Sequence, residues 1–254
     1  MMIQLVTLGS LRVFDGATEL EPLLSQRSRA ALFIYLTIER RISRDVLTAM
    51  FWPESDDENA RHALRQSLYH LRKVVSGRDW IDSRAFELVV REDVGADATE
   101  FSDAVEHGDA ERALRLYRGP FLDGVHLVDR PSWESWVDGR RAKYARGFRK
   151  ACRALLDDRL VARDLEGAIA VAERWTAVDP TDDEAQHRLI STLAVAGERA
   201  EAIRQYETYA RLLAPEGLEP LDETRQLVEQ LRPGLAVPRA FAHVSLRASA
   251  AHCG

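Results

Sequence analysis

A stretch of cationic side chains that contains no acidic one lies between Asn59 and Arg78. Five of its residues are arginine or lysine, whereas the whole chain has a net charge of -6. Guanidinium, ammonium, amide and aromatic groups gathered on one surface suit the phosphates and the major-groove base edges of DNA. The alternative is an ordinary solvated helix face. The elements on either side of this stretch distinguish a DNA-binding surface from such a face.

The stretch has the period of an amphipathic helix. Its apolar residues recur at i, i+4, i+8, i+11 and i+15, which places them on one buried face. These residues are Ala60, Leu64, Leu68, Leu71 and Val75. Because successive residues are about 100° apart around a helix, the polar residues between them share the opposite, exposed side. The residues on that side are Arg61, His62, Arg65, Gln66, Tyr69, Arg72 and Lys73.

The composition is that of a folded globular chain. At 254 residues it is long enough for one large or two ordinary domains, and 46% hydrophobic with 30% charged residues argues against disorder. No apolar run approaches the roughly 18 residues of a membrane span, and the opening residues lack the features of a secretory leader. The two cysteines, Cys152 and Cys253, have no disulfide or metal-site spacing, which fits a reducing cytoplasm.

The negative charge is concentrated in the C-terminal part. Residues 1–95 contain 13 Lys+Arg and 14 Asp+Glu, and the remainder contains 22 and 27. A nearly neutral N-terminal part with one local basic surface is compatible with DNA binding, because the local field matters more than net charge.

The elements before the basic stretch indicate a small helical DNA-binding fold. Residues 3–14 are rich in β-branched and apolar side chains and predict a strand or a small hairpin. Residues 26–41 predict a helix with Ser25 as its N-cap. Ser43 is expected to cap a second helix over residues 44–52, which Pro53 ends.

The elements after it complete the pattern. The acidic loop 54–58 precedes the basic helix, where carboxylates favour the helix N-terminus. Trp80-Ile81 and 86–90 are two short β-like segments with Arg84 in the turn between them, which predicts a hairpin. Strands, two helices, a turn, a basic helix and a hairpin follow one another in the order of a winged helix-turn-helix.

From about residue 96 onward the patterns are helical, and a repeat is visible. Residues 164–169 align with 198–203 at an offset of 34 residues, the tetratricopeptide period. A weaker copy, 109–117, is followed by an insertion. Helix pairs at this period stack into curved arrays that bind proteins. The tail 233–254 is rich in small residues and predicts a loosely ordered segment.

In its motifs the chain resembles the bacterial transcriptional activator domain family, which includes the Streptomyces antibiotic regulatory proteins. The resemblance covers roughly residues 3–232. The motifs that carry it are Leu47-x4-Trp52-Pro53, Asn59-Ala60-x3-Leu64-Arg65-Gln66-x4-Leu71-Arg72-Lys73, Tyr117-Arg118-Gly119-Pro120-Phe121-Leu122, Trp133-x6-Arg140-Arg141, Asp179-Pro180-x3-Glu184 and Gly197-x4-Ala202.

The resemblance implies a mainly α fold, an OmpR-type winged helix-turn-helix (α+β) over 1–95 followed by an all-α tetratricopeptide-like domain over 96–232. It further implies a nucleoid-associated transcription factor that binds direct repeats of double-stranded DNA near promoters and recruits RNA polymerase. Homodimerisation on tandem sites is also implied by the family. The DNA contacts carried over are Arg65, Gln66, Tyr69, Arg72 and Lys73 on the basic helix, with Arg84 on the wing. One departure is the wing turn 82–85, which lacks the glycine that such hairpins often have.

Other kinds of chemistry have little support. Gly119 and Gly124 have the spacing of a phosphate-binding loop, but Val125-His126 replace its Lys and Ser/Thr. Asp123, His126 and Asp129 form no metal-ligand pattern, and no catalytic constellation is found. Trp133 and Trp136 are expected in the core rather than in a stacking platform. We therefore expect a protein that is not an enzyme and that has no cofactor or metal.

Two functions remain open at this point. In a transcription activator, Arg61, Arg72, Lys73 and Arg84 would neutralise phosphates, and Arg65 with Gln66 would read guanine and adenine. In a protein-binding scaffold, the repeats would act and the winged fold would not bind DNA. Asp56 and Asp57 are candidate polymerase contacts; the alternative is that they only stabilise the helix N-terminus.

Overall fold

The computed structural model describes residues 2–75, 79–127 and 129–232. Most of these residues are helical, and short strands occur only among the first hundred. Contacts divide the chain into two compact units, Met1–Ala151 and a second that begins at Cys152. Arg78 and the tail 233–254, both included in the expectations above, lie outside the described residues. The functional division expected after residue 95 stays a prediction.

The elements follow one another in this order, with all β-strands in the first unit. The strands are β1 (Ile3–Val6), β2 (Arg12–Asp15), β3 (Thr18–Glu19), β4 (Arg41–Ser43), β5 (Ile81–Ser83), β6 (Glu87–Val90) and β7 (Val94–Ala96). The helices are α1 (Glu21–Leu24), α2 (Arg27–Glu39), α3 (Arg44–Phe51), α4 (Asp57–Val74), α5 (Asp97–Glu106), α6 (Ala110–Leu116), α7 (Pro131–Val161), α8 (Leu165–Val178), α9 (Asp183–Ala196), α10 (Arg199–Leu213) and α11 (Asp222–Leu231).

The N-terminal sheet has the strand order β3-β2-β1-β7. The antiparallel pairing of β1 with β2 confirms the predicted hairpin. Alternate residues such as Ile3, Leu5 and Val13 are fully buried, as expected of a sheet with one solvated face. The parallel strand β7, which pairs Ile3 with Val94, was not predicted.

The helix-turn-helix core forms as predicted, with corrections at the helix ends. Ser43 caps α3, because its hydroxyl accepts a hydrogen bond from the Val46 N–H at 3.2 Å. The expectation that Ser25 caps α2 is wrong. Gln26 occupies that position without a side-chain cap, and Ser25 is instead the C-cap of the short helix α1. α3 ends at Phe51, one residue earlier than predicted.

The predicted hairpin β5–β6 is present and gains a third strand. β4, immediately after α2, pairs with β6, so the wing sheet has the order β4-β6-β5. Trp80 just before β5 is fully buried and packs edge-on against Phe33 of α2, with ring centroids 4.9 Å apart. The wing is therefore anchored to the core at both of its ends.

The buried carboxylate of Asp97 joins the N-terminal sheet to α5. It accepts hydrogen bonds from the Thr7 N–H at 2.7 Å, the Thr7 hydroxyl at 2.7 Å and the Leu8 N–H at 3.2 Å. Leu8 also forms a β-bridge with Phe121, in the loop between α6 and α7. The winged fold and helices α5 and α6 are thus packed together within one compact unit.

The tryptophans at the start of α7 are part of this packing. Trp133 is fully buried, which confirms its expected place in the core. Trp136 packs against Tyr35, and its indole N–H donates to Glu39 of α2 at 2.7 Å. Arg140 donates to the same carboxylate. The side chains of α7 therefore hold the C-terminal end of α2.

The second unit contains the helix pairs expected from the 34-residue repeat. α8 packs on α9, α9 on α10, and α11 on both α9 and α10. Asp164 caps α8 by accepting from the Gly167 N–H at 2.9 Å, whereas Glu198 at the equivalent position of α10 forms no side-chain cap. Among the described residues, no helix has the length and apolar character needed to cross a bilayer.

Candidate nucleic-acid interface

α4 is positioned by its buried stripe and by its N-cap. Ala60, Leu64, Leu68 and Leu71 are at most 4% exposed, which confirms the predicted stripe. The helix begins at Asp57, two residues earlier than expected, because the Asp56 carboxylate accepts from the Asn59 N–H at 2.9 Å. Acidic residues in the first turn and basic residues in the last turn both interact favourably with the helix dipole.

The side chains predicted to contact DNA lie on the exposed side of this helix and on the hairpin. Seven of the eight are exposed; the eighth, Arg72, is half-buried. The exposed residues are Arg61, His62, Arg65, Gln66, Tyr69, Lys73 and Arg84. Tyr69 is 56% exposed, so much of it is open to solvent.

Neighbouring side chains organise this surface. The Gln66 amide lies 2.9 Å from the His62 ring nitrogen, one helical turn earlier. The Lys73 ammonium lies 4.6 Å from the centre of the Tyr69 ring, a cation–π contact. These contacts already restrict the rotamers of the side chains in each pair. The side chains therefore lose less conformational entropy when they bind a ligand.

The cations differ in how far acidic groups neutralise them. Arg61 lies 3.9 Å from both Asp45 and Asp57. Arg84 pairs with Glu87 at 3.0 Å. In the described parts of the chain, Arg65 has no acidic partner within ion-pair distance. Arg65 therefore presents the least neutralised charge of the three.

The wing turn contacts α4 directly. The Arg72 guanidinium donates to the Ser83 hydroxyl at 3.2 Å, which joins the C-terminal half of the helix to the hairpin. No residue from Asp82 to Phe86 has a positive φ, so the turn does not require the glycine whose absence was noted in the sequence. Arg84 and Phe86 both project from this turn, and Phe86 is 85% exposed.

Arg44, at the first position of α3, belongs to the same surface although the sequence patterns did not single it out. Its Nε donates to the Arg84 carbonyl at 3.3 Å. Burial lowers the pKa of Arg44, and the positive charges of Arg65 and Arg72 lower it further. The sequence shows only that Arg44 directly follows the Ser43 cap. This position predicts the start of a helix, but it does not indicate which charged side chains lie near Arg44.

Asp56 and Asp57 have different surroundings. Both oxygens of Asp56 accept hydrogen bonds from Asn59, from its backbone N–H at 2.9 Å and its side-chain amide at 2.8 Å. These hydrogen bonds lower the pKa of Asp56. The Asp57 side chain is 95% exposed. Asp56 is thus engaged as the N-cap, whereas Asp57 remains solvent-exposed and has a loose ion pair with Arg61 at 3.9 Å.

The loop between α6 and α7 contains the other residues considered in the sequence. Gly124, in the loop with phosphate-loop glycine spacing, has a φ of 72° and lies in a turn between α6 and α7. His126 lies 3.4 Å from Glu134 of α7. Within the described ranges no group of three His, Cys, Asp or Glu side chains is arranged to hold a metal ion.

The comparisons with known proteins agree with this architecture. The regulatory protein AfsR of Streptomyces griseus is 26% identical over 242 residues, which is 90% of this chain. The chain spans only 24% of that relative's length. The solved structure of Mycobacterium tuberculosis EmbR in complex with a low-affinity phosphopeptide has a TM-score of 0.60 at 20% identity, over 90% of this chain and 64% of that one. This likeness concerns the fold, and it confirms the predicted winged helix-turn-helix followed by an all-helical domain.

The strongest comparison is with a family model. The model described as the bacterial transcriptional activator domain matches residues 81–232, more than half of the chain. The match begins in the wing hairpin and includes every helix from α5 to α11. The chain belongs to the bacterial transcriptional activator domain family.

Proposed function

We propose that the protein is a sequence-specific DNA-binding transcriptional regulator, an activator that binds direct repeats near promoters and contacts RNA polymerase. The observation that carries the proposal is the exposed cationic side of α4, which lies next to an arginine-bearing hairpin. Family membership supports the regulatory role. Such a protein acts in the cytoplasm, on the nucleoid, and the proposal includes no catalytic step.

The geometry suggests a division of roles. Arg65 and Gln66, one after the other in the middle of α4, supply the two forked side chains that match guanine and adenine edges. Arg72, Lys73 and Arg84 supply charge to the backbone at the C-terminal end of the helix and on the wing. Arg61 and Arg84 contribute less charge than Arg72 and Lys73, because Arg61 lies 3.9 Å from Asp45 and Asp57 and Arg84 lies 3.0 Å from Glu87.

A protein-binding scaffold is the second candidate. It is supported by the second unit, where several large apolar side chains are about half exposed on helices and loops of the repeat. These are Val195, Leu212, Leu218 and Leu221. The scaffold function requires no DNA binding, and it accounts less well for an unneutralised Arg65 inside an acidic chain.

Selection of fragmented genomic DNA by the purified protein tests the proposal. We expect enrichment of a repeated motif, bound at least about a thousandfold more tightly than random duplex at moderate salt. The affinity is expected to fall with salt at a slope of about -0.9 per neutralised phosphate. Weak salt-sensitive binding without any enriched motif would contradict the proposal and favour the scaffold.

The polymerase contact is tested by comparing Asp56→Ala with Asp57→Ala. Because Asp56 caps α4, Asp56→Ala is expected to lower the melting temperature by about 3 °C. Asp57→Ala leaves the cap in place and is expected to reduce transcription in vitro on a promoter with the selected motif, without loss of DNA affinity. Asp56→Asn, which retains a capping oxygen, is the matched control. Normal transcription by the Asp57 variant would exclude this carboxylate as a polymerase contact.

A further inference from the structure

Two arginines from neighbouring helices, Arg44 and Arg72, donate hydrogen bonds to the wing turn, and Arg65 contributes positive charge to the same surface. Arg44 begins α3, while Arg65 and Arg72 lie two turns apart on α4. The side chains of Arg44 and Arg72 donate to two consecutive residues of the wing turn, Arg84 and Ser83. Burial lowers the pKa of Arg44, and the positive charges of Arg65 and Arg72 lower it further, as expected of like charges near one another. An arrangement of like charges without an anion is unfavourable, so the cluster has the electrostatics of an anion site.

The carboxylates around the cluster are paired with other arginines. Glu87 lies 3.0 Å from Arg84 and 3.7 Å from Arg41. Asp45, next to Arg44 in sequence, lies 3.9 Å from Arg61. Among the described residues, no acidic side chain forms an ion pair with the three clustered arginines. Their charge is therefore left for a ligand from outside the chain.

Hydrogen bonds to the hairpin hold two of these arginines in place. The Arg44 N–H donates to the Phe86 carbonyl at 3.0 Å, and its Nε donates to the Arg84 carbonyl at 3.3 Å. Arg72 donates through one terminal nitrogen to the Ser83 hydroxyl at 3.2 Å. Since a guanidinium has five N–H donors, most of those on both side chains are not used by these bonds.

We propose that Arg44 and Arg72 bind one and the same phosphate group of the DNA backbone, at the junction of α3, α4 and the wing turn. The phosphate offsets the repulsion between the two guanidinium groups and accepts further hydrogen bonds from both. Because both arginines also hold the hairpin, this one contact fixes the position of the wing on the duplex. Arg65 adds to the local potential while it remains the candidate for base reading. The inference rests on the proposed DNA-binding function.

Single neutral methylphosphonates, placed one at a time along the backbone of the selected motif, test this inference. The affinity of each modified duplex is measured with the unchanged protein and with Arg44→Gln and Arg72→Gln. Glutamine removes the charge but keeps an amide donor for the hairpin. Arg115→Ala is the matched control for net charge, since Arg115 is an exposed arginine of α6 that lies 3.8 Å from Glu111. Thermal melts verify that each variant is folded.

At one phosphate position, we expect the methylphosphonate to weaken binding of the unchanged protein by about tenfold. The same modification is expected to weaken Arg44→Gln and Arg72→Gln by only about twofold, because the partner charge is already missing. Arg115→Ala is expected to retain the full tenfold loss. The salt slope of each glutamine variant is expected to be smaller by about one phosphate contact.

Two results would overturn the inference and leave the proposed function intact: no position that couples to Arg44, or coupling of Arg44 and Arg72 to different phosphates. A third result concerns the source of the phosphate. If millimolar inorganic phosphate alone raised the melting temperature of the unchanged protein but not that of Arg44→Gln, the site would bind a free phosphate group instead. Failure of the unchanged protein to select any motif would overturn the proposed function together with the inference.

Discussion

The Arg65→Ala variant is expected to bind the selected motif about 10- to 100-fold more weakly than the unchanged protein, while its affinity for random duplex changes by less than about threefold. A bidentate arginine–guanine pair contributes about 1–3 kcal/mol of discrimination, which corresponds to this range. We expect Arg65 to contribute this discrimination in full, because it has no acidic partner among the described residues. Its N–H donors therefore do not have to leave a carboxylate before they bind DNA. Fluorescence-anisotropy titrations of both duplexes at one salt concentration measure the two affinities.

Arg61→Ala is the matched control on the same helix. It also removes one arginine, but one that is shared between Asp45 and Asp57 at 3.9 Å. We expect it to weaken binding to both duplexes by the same small factor, about two- to threefold. Equal losses on both duplexes for Arg65→Ala would instead assign Arg65 to the phosphate backbone, and base reading would then have to come from Gln66 and its neighbours.

The position of the candidate interface was predictable because its signals are local. The stripe from Ala60 to Val75 repeats with the helical period, so the side on which Arg65 lies follows from sequence alone. Ser43 before an apolar segment likewise predicted an N-cap that the structure contains. The prediction for Ser25 was wrong although it used the same kind of local signal. A serine before a helical pattern is typical of an N-cap, but Ser25 is the C-cap of the preceding helix α1.

The parts that were missed depend on residues far apart in the chain. β7 pairs with β1 across about ninety residues, and β4 pairs with β6 across nearly fifty. Neither strand exceeds three residues, so neither has enough alternation to be recognised. Arg44 was missed for a related reason, because its charge gains significance only when folding places it beside Arg65 and Arg72.

Long-range contacts of this kind also lead to the second large expected effect, at Asp97. The Asp97→Ala variant leaves the Thr7 and Leu8 N–H groups and the Thr7 hydroxyl without their shared acceptor. Each unsatisfied buried donor lowers the free energy of unfolding by about 1–3 kcal/mol. Removal of the buried carboxylate, whose burial is itself unfavourable, offsets part of this loss. We therefore expect the free energy of unfolding to fall by about 3 kcal/mol in total. Hydrogen exchange by mass spectrometry is expected to show about 100-fold faster exchange in peptides that cover β1, with no change in peptides from α9.

Asp103→Ala, an exposed acidic residue of the same helix, is the matched control and is expected to leave the exchange of β1 unchanged. The pH dependence gives an independent check. Burial raises the pKa of Asp97 above its ordinary value of 3.8, even though the hydrogen bonds from Thr7 and Leu8 and the nearby Arg118 lower it. A raised pKa in the folded state means that the folded protein holds this proton more tightly than the unfolded chain. The stability that the protonated group contributes is therefore lost as the pH rises from about 4 through the folded-state pKa.

Asp97→Asn cannot lose a proton, so its melting temperature relative to that of the unchanged protein is expected to rise over the same pH interval. A difference between the two that stayed constant with pH would show that Asp97 has its ordinary pKa in the folded state. A relative fall would mean that the three hydrogen bonds outweigh burial and that the ionised carboxylate is the stabilising form. In either case, faster exchange of β1 in Asp97→Ala alone would still identify this side chain as the connection between the N-terminal sheet and α5.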